Sequence, residues 1–496
     1  MKRIPTRAVL AAALAMLAMA AGCAVGPRYQ KPTATAPTTA VPAEWKGQPW
    51  QSAAPKDTIT KGEWWQVFHD PALDAFERQL LAANQSLLVS RDRLEQARSI
   101  ARVATAGLFP QLSTDPDAAH QYAGANRPLN GALVATSYSQ NVFSVPFNLS
   151  YEVDLFGRVR KNVEAANATL QATAADVANV QLVLAAELAA DYFMLRELDA
   201  ELKVVEENVG YERKGLDLVN NRHHGGVASG LEVAQQAALL DGTLTQLALL
   251  KQSRAQYEHA IAVLVGQPAP NFAIAAAPLS ATPPPVPLGL PSDVLERRPD
   301  ISTAERQIAY ANAQVGIARA AFYPHITLGG SGGWQSRDIS TLINVPSLFW
   351  TVGADALEPI FQGGRNRATL AAARSSYDAS VANYRQSVLT AFQQVEDGIS
   401  NLETLAQAAK TQAAAVEDAR SELAIANNRY VGGVTTFLDV ITAQSTLLAN
   451  ERLETQLLGQ QMVSTVYLVK ALGGGWEARD LDQQQVKPKA TQILEP

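Results

Sequence analysis

Cys23 is the only cysteine in 496 residues, and its surroundings define the chemistry open to it. Lys2, Arg3 and Arg7 precede an apolar run of 14 residues, Ala8 to Ala21, that ends in Ala20-Ala21-Gly22-Cys23. A basic start, a short apolar core and small residues make a secretory signal, too short to span a bilayer as a helix. A thiol directly after such a cleavage site reads as a lipobox, whose sulfur is diacylated and whose cysteine becomes residue one. Ala20 stands where leucine is usual. Ala24, not Asp, follows the cysteine, so the signal for inner-membrane retention is missing and an outer-membrane destination follows. With one thiol, no disulfide can form within a mature chain.

The remaining clusters invite chemistry that their surroundings oppose. His223-His224 could ligate a metal, but adjacent histidines project differently and no nearby Cys or His completes a set, so they read as solvated turn residues and no metal is expected. Gly329-Gly330-Ser331-Gly332-Gly333 has no following Lys and reads as strand or loop, not as a phosphate cradle. Glu296-Arg297-Arg298 reads as an ion-pair cluster at a helix start. Neither a GxxxxGK[ST] sequence nor a dinucleotide fingerprint is present, and no cofactor is expected. Cleavage before Cys23 removes three of the 41 basic residues and leaves 38 against 47 acidic ones, a balance unsuited to nucleic acid.

The elements that position these residues come in two copies. Ala106 to Leu112 matches Ala320 to Ile326 at an offset of 214, and Asn221 to Val227 matches Asn428 to Val434 at 207. Within the latter block Leu231-Glu232-Val233 falls on Leu438-Asp439-Val440 and Gly266 on Gly473. Each half reads as helix, β-hairpin, very long helix, tight turn and shorter helix. In the first half these are Gln79–Leu108, a hairpin over 111–155, Arg158–Arg222 and Leu231–Gly266. In the second they are Ile301–Phe322, a hairpin over 325–359, Arg365–Arg429 and Leu438–Gly473. The proline-rich stretch Ala277–Pro291 joins them.

Leu195, Leu198, Leu202, Val205 and Val209 repeat at 3 and 4, as do Val233, Ala237, Leu240, Leu244 and Leu247, which is a coiled-coil seam. A helix of about 65 residues spans roughly 100 Å, far beyond what a globular domain needs. The returning helix covers little more than half of it, so the two shorter helices of each half must stack end to end beside the long one. The outcome is a rod.

Phe143, Val145, Phe147, Leu149, Tyr151 and Val153 alternate with polar residues, the pattern of a strand with one apolar face. Pro146 interrupts it and calls for an edge or a bulge. Leu348, Trp350, Val352, Ala354 and Ala356 alternate more weakly, and 111–122 and 325–334 supply the other hairpin arms. No uninterrupted apolar stretch of about 18 residues follows the signal, so a membrane pass would be made of strands. Four strands cannot close a barrel, which takes about eight or more, so several copies must contribute.

Four stretches carry a resemblance to a known family. They are Gly22-Cys23-Ala24-Val25-Gly26-Pro27-Arg28-Tyr29-Gln30-Lys31-Pro32, Trp64 to Leu73 (WWQVFHDPAL), Tyr151 to Arg158 (YEVDLFGR) and Pro291 to Ile301 (PSDVLERRPDI). The chain resembles the TolC-like outer-membrane efflux factors, in the lipoprotein branch of the OprM/NodT type. The fold class implied is mostly α with a β-barrel part: two repeats, long coiled-coil α-barrel helices and four transmembrane β-strands per protomer, closing as a trimeric 12-stranded barrel. The expected division is a signal peptide 1–22, a lipidated segment 23–75, a first repeat 76–276, a linker 277–298, a second repeat 299–473 and a tail 474–496.

The resemblance implies a homotrimer that passively conducts drugs or other small toxic compounds, and no enzyme. Its implied partners are a periplasmic adaptor, an inner-membrane transporter of the RND type and outer-membrane lipid. It also assigns residues. Arg429 and Tyr430 would hold neighbouring helices at the periplasmic gate, and Asp439 would face the lumen as a ring of three carboxylates. A second acidic ring is in doubt because Thr442 stands where many relatives carry Asp. The alternative for Asp439 is an N-terminal helix charge favoured by the macrodipole. Gly225, Gly226, Val227, Gly432, Gly433 and Val434 form the turns that would dock the adaptor. A conduit for secreted polypeptide and a structural lipoprotein rod are the competing readings.

Overall fold

A single asparagine breaks the first helix. The computed structural model describes residues 25–33, 44–45, 48–49, 62–125, 137–279, 282–284, 298–474, 476 and 484–486. The signal segment, Cys23, Glu296-Arg297 and most of the linker lie outside the described residues. A 3-10 turn, Trp64–Phe68, leads to α1 (Pro71–Ala83), capped by the Asp70 carboxylate, and α2 (Gln85–Ala106) follows. The sequence predicts one helix from Gln79 to Leu108. Instead Asn84 leaves helical geometry at ψ 123°, and its side chain caps α2 by accepting from the Leu87 amide.

The two halves then repeat. The first continues with strands β1 (Gln111–Thr114), β2 (Asp117–Ala123) and β3 (Tyr138–Glu152), the 67-residue helix α3 (Arg158–His224) and α4 (Gly230–Leu264). The second contains α5 (Pro299–Ala320), β4 (His325–Ser336), β5 (Leu348–Leu357), the 67-residue helix α6 (Arg365–Val431) and α7 (Phe437–Ala471).

The seam residues Leu195, Leu198, Leu202, Val205 and Val209 are all buried, each such side chain contributing roughly 1.5–3 kcal/mol when fully covered. End-to-end stacking holds in both halves. Asn84 Nδ2 donates to the Leu264 carbonyl at 2.8 Å, where α4 ends and α2 begins. Arg298 Nη1 donates to the Ala471 carbonyl at 3.1 Å, where α7 ends and α5 begins. Both donors satisfy a carbonyl left open at a helix end. Arg298 also pairs with Asp300 at the start of α5.

Against its barrel-side half, α3 packs α2 and α5; further along, it packs α4 and α7, while α6 packs α5 and α7. One 18-residue stretch of α3 reaches a mean hydropathy of 1.2, which the count of uninterrupted apolar residues does not reveal. It serves the protein core: Ala185, Ala186, Leu188 and Ala189 are almost wholly covered, beside Trp64, Trp65, Leu73 and Met462.

β1 and β2 are one arm. Gln111 faces Ser150, Thr114 faces Phe147 and Asp117 faces Ser144, a single register interrupted at Asp115-Pro116. The sheet is therefore four-stranded in effect, ordered β1/β2, β3, β4, β5, antiparallel throughout. Pro146 lies in β3, an inner strand, not at an edge as its missing donor suggests. It is tolerated because the residue across from it in the broken arm is Asp115, at the interruption, and because Gly333 faces it on β4. A Cβ on Gly333 would stand 2.1 Å from the Val145 carbonyl oxygen. The glycine run 329–333 is thus strand, with Gly333 admitting the backbone of its neighbour.

Candidate conduit and periplasmic tip

The sheet has two unlike faces. Cross-strand register aligns Leu112, Leu149, Gly330 and Val352 in one row, Thr114, Phe147, Gly332 and Trp350 in the next, and Val145, Trp334 and Leu348 beyond. The opposite face carries Ser113, Asn148, Ser331 and Thr351 in one row and Glu152, Thr327 and Asp355 in another. Within that polar face Ser331 Oγ donates to Asn148 Oδ1 at 2.8 Å. Trp350 and Val352 are each 77% exposed, and among the described residues both edges of the sheet, β1/β2 and β5, are unpaired. An apolar face with nothing on it and two unpaired edges describes a segment of a lipid-facing barrel wall. From Phe143 to Tyr151 the apolar face runs nine residues, the length a tilted transmembrane strand needs.

Each strand continues as a helix in the same order. The arm β1/β2 follows α2, β3 leads into α3, α5 leads into β4 and β5 leads into α6. Below the polar face the helices line a concavity of about 890 Å³ of mixed character, with Arg93, Gln96 and Asn162 beside Ile100, Val103 and Phe109. At its barrel end Glu152 binds Arg158 Nε at 2.8 Å and His325 Nε2 at 2.8 Å. The polar surface is thereby continuous from strands to helices.

At the far end the long helices turn. Gly226 and Gly433, with φ of 75° and 71°, take the left-handed conformation at equivalent positions, directly after Gly225 and Gly432, which end the helices. Val227 and Val434 are each 69% exposed on these turns. Each returning helix opens with a capping box, Ser229 with Glu232 and Thr436 with Asp439.

Here the repeats diverge. Tyr430 is buried at 8% exposure and donates its hydroxyl across the repeat interface to Glu232 Oε2 at 2.8 Å. Its ring packs on Phe437 at 5.0 Å, under the Arg222 guanidinium at 4.8 Å. His223, the equivalent in the first repeat, turns back to the Ala228 carbonyl of its own turn at 2.8 Å. Burial pushes the Glu232 carboxyl up, but the bonds from Tyr430 and Ser229 and the charge of Arg222 outweigh it and hold the group below the usual range. Burial, then Glu232, push the Tyr430 hydroxyl up, so it stays a donor.

Asp439 is fully exposed. Its Oδ2 accepts from the Thr435 hydroxyl, from Thr436 Oγ1 at 3.2 Å and from the Thr436 amide at 3.3 Å. The Thr435 bond first, then Thr436 and the charge of Arg429, hold its carboxyl low. Thr442 bonds its own helix through the Leu438 carbonyl. Arg429 is exposed, so within one chain it is Arg222 that lies on Tyr430. Arg222 and Glu232 are partners that motif reading misses. The offset of 207 points to them, since it places Arg222 on Arg429 and Glu232 on Asp439.

Known proteins share this overall fold. The family model described as outer membrane efflux protein matches residues 78–267 and 290–474. The chain is 33% identical to the pyoverdine export outer membrane protein OpmQ of Pseudomonas aeruginosa, over 88% of this chain and 92% of that one. It is also 33% identical to the toluene efflux pump outer membrane protein TtgI of Pseudomonas putida, over 93% and 97%. Among solved structures, the outer-membrane channel OprN superimposes with a TM-score of 0.82 at 28% identity, covering 92% of this chain and 100% of that one. The open state of the Neisseria gonorrhoeae MtrE outer membrane channel does so at 0.77 and 27%, covering 92% and 99%.

Proposed function

This chain belongs to the outer membrane efflux protein family, and from that premise we propose how its residues serve an outer-membrane channel of tripartite efflux. Three copies close the open edges β1/β2 and β5 into a 12-stranded barrel, and the edges α2 and α6 into a helical cylinder beneath it. The single observation that carries this is the one-to-one continuation of two-faced strands into helices around a shared concavity. Small organic compounds pass along that surface, driven by an inner-membrane transporter of the RND type that is coupled through a periplasmic adaptor. The relatives' names, pyoverdine export and toluene efflux, span chemically unlike cargo, in keeping with a wall that guides and a pump that selects.

Tyr430, held by Glu232 and Arg222, closes the periplasmic tip, and Asp439 with Arg429 lines its mouth, where three carboxylates favour cations. The turns Gly225-Gly226-Val227 and Gly432-Gly433-Val434 present exposed valines to the adaptor. Cys23 carries the lipid anchor. Two residues on, the Val25 amide donates to the Phe156 carbonyl between β3 and α3, a contact that supports an anchor on this side of the barrel wall. Planar-bilayer recordings of purified protein test the reading: conductance steps are expected, and their absence both in the native chain and with Arg429 and Asp439 replaced would refute it.

A further inference from the structure

A second set of contacts joins the repeats midway along the rod, about 20 residues from the tip, and it is built of buried charge. On α3, Glu197 and Glu201 are 3% and 2% exposed, one turn apart. Arg452 of α7 gives Nε to Glu201 Oε1 at 2.5 Å, and Gln456 Nε2 adds a bond to the same oxygen at 3.2 Å. From α4, the Gln246 amide lies against the Arg452 guanidinium, which calls for its oxygen on that side. Glu197 lies flat on α7: a Cβ on Gly459 would stand 2.4 Å from its Cγ. Among the described residues its Oε1 is buried without a hydrogen-bond partner, while the carboxyl meets that of Glu201. The cluster is bounded by the apolar contacts of Leu198, Leu202, Val205, Leu250 and Leu448.

The charges that face Glu197 can be counted element by element. On α3 there is Glu201, on α7 Arg452, and on α4 the phenol of Tyr257 and the neutral Gln246. One cation therefore serves two carboxyl groups. Burial first, then Glu201, push the Glu197 carboxyl up, and Arg452 offsets only part of this. Burial, Asp191 and Glu197 push the Tyr257 hydroxyl up too, so it stays neutral. With Glu197 protonated, Glu201 and Arg452 balance. With Glu197 ionised, two buried carboxylates share one guanidinium, itself only partly exposed, which is unfavourable.

We propose that this cluster is a second latch, which holds the first coiled-coil pair, α3 and α4, to α7 and releases when Glu197 loses its proton. The sign follows from linkage. A carboxyl that is raised in the closed form binds its proton more tightly there, so the closed form loses stability as pH rises through that range. Since α7 begins at the tip beside Tyr430 and Phe437, loosening it from α3 favours opening. The role in gating rests on the channel reading above, whereas the latch itself does not.

The test uses the full-length chain in two readouts, bilayer conductance and tip exchange, from about pH 6 to about pH 9. Tip exchange here is the amide hydrogen-exchange rate in segments 215–235 and 422–442 divided by the base-catalysed rate of an unstructured chain at the same pH, so that it reports opening alone. Open fraction and tip exchange are expected to rise with pH, by at most about tenfold per pH unit for one proton. Glu197→Gln, neutral and of the same shape, is expected to hold both at their low-pH values throughout. Gly459→Ala, which drives a methyl group into Glu197, is expected to raise tip exchange even at neutral pH. A flat native profile in tip exchange overturns the latch, as does a rise that survives Glu197→Gln. Failure to conduct at any pH counts instead against the channel, because exchange still reports on the latch.

Discussion

Replacing Tyr430 with phenylalanine should open the tip, and the size of the effect follows from what the hydroxyl touches. The variant keeps the ring between Phe437 and Arg222 and deletes one bond, 2.8 Å long, to a carboxylate. Hydrogen bonds to charged groups contribute about 1.5–3 kcal/mol. The lower end applies here, because Glu232 keeps the Ser229 amide and hydroxyl, each at 3.2 Å, and is not left bare. About 1.5 kcal/mol is roughly tenfold in the closed-to-open ratio of one protomer, and about a thousandfold if three tips open together. Alanine is the wrong probe, since losing the buried ring costs about 3–5 kcal/mol in packing alone. Single-channel recording measures the open fraction, and tip amide exchange measures the same equilibrium without a membrane. Glu232→Gln should reproduce most of the change, and the double variant should add little to either single one, as two ends of one bond require. If Tyr430→Phe and Glu232→Gln act additively, or if neither moves either readout, the lock has been placed on the wrong residues.

Other outcomes follow from particular contacts. Because Glu232 is held below its usual carboxylate range, its part in the lock is complete above about pH 4.5 and is lost as pH falls through the lowered value; acid should raise open probability in the native channel and not in Glu232→Gln. Gly333→Ala places a methyl group 2.1 Å from the Val145 carbonyl oxygen and should abolish stable trimers on semi-native gels, whereas Gly329→Ala, with open space at that position, should not. Asn84→Ala removes both the cap on α2 and the bond to Leu264. It should destabilise the fold by about 2 kcal/mol, read as a shift in thermal unfolding. Cys23→Ala, exported behind a plain signal peptide, should assemble less efficiently yet conduct once assembled.

The long elements were legible because their signals are long. The seam spacing and the glycines at 225–226 and 432–433 predict both 67-residue helices to within about two residues at each end. Alternation in 143–153 predicts β3, and the offset between halves predicts the order of everything else. Short-range exceptions escaped. Asn84 sits in an otherwise good helix pattern, and what stops that helix is a carbonyl 180 residues away at the end of α4. Pro146 reads as an edge residue because the break across from it at Asp115-Pro116 is visible only once the strands are paired. At the tip, Tyr430 stands out from its repeat partner His223, but its bond to Glu232 crosses between repeats and no local spacing encodes it.

The two offsets, 214 before the hairpins and 207 after them, differ by seven residues. Both long helices have 67 residues and both returning helices 35, so the whole difference falls in the hairpins. A helical stave cannot gain a residue without rotating every later side chain by about 100° away from its neighbours, while a hairpin tip can lengthen freely. The rod thus behaves as a ruler, copied twice at one length. The hairpin tips are the parts of the chain free to vary in length. An epitope tag inserted there should be displayed without disturbing the staves below.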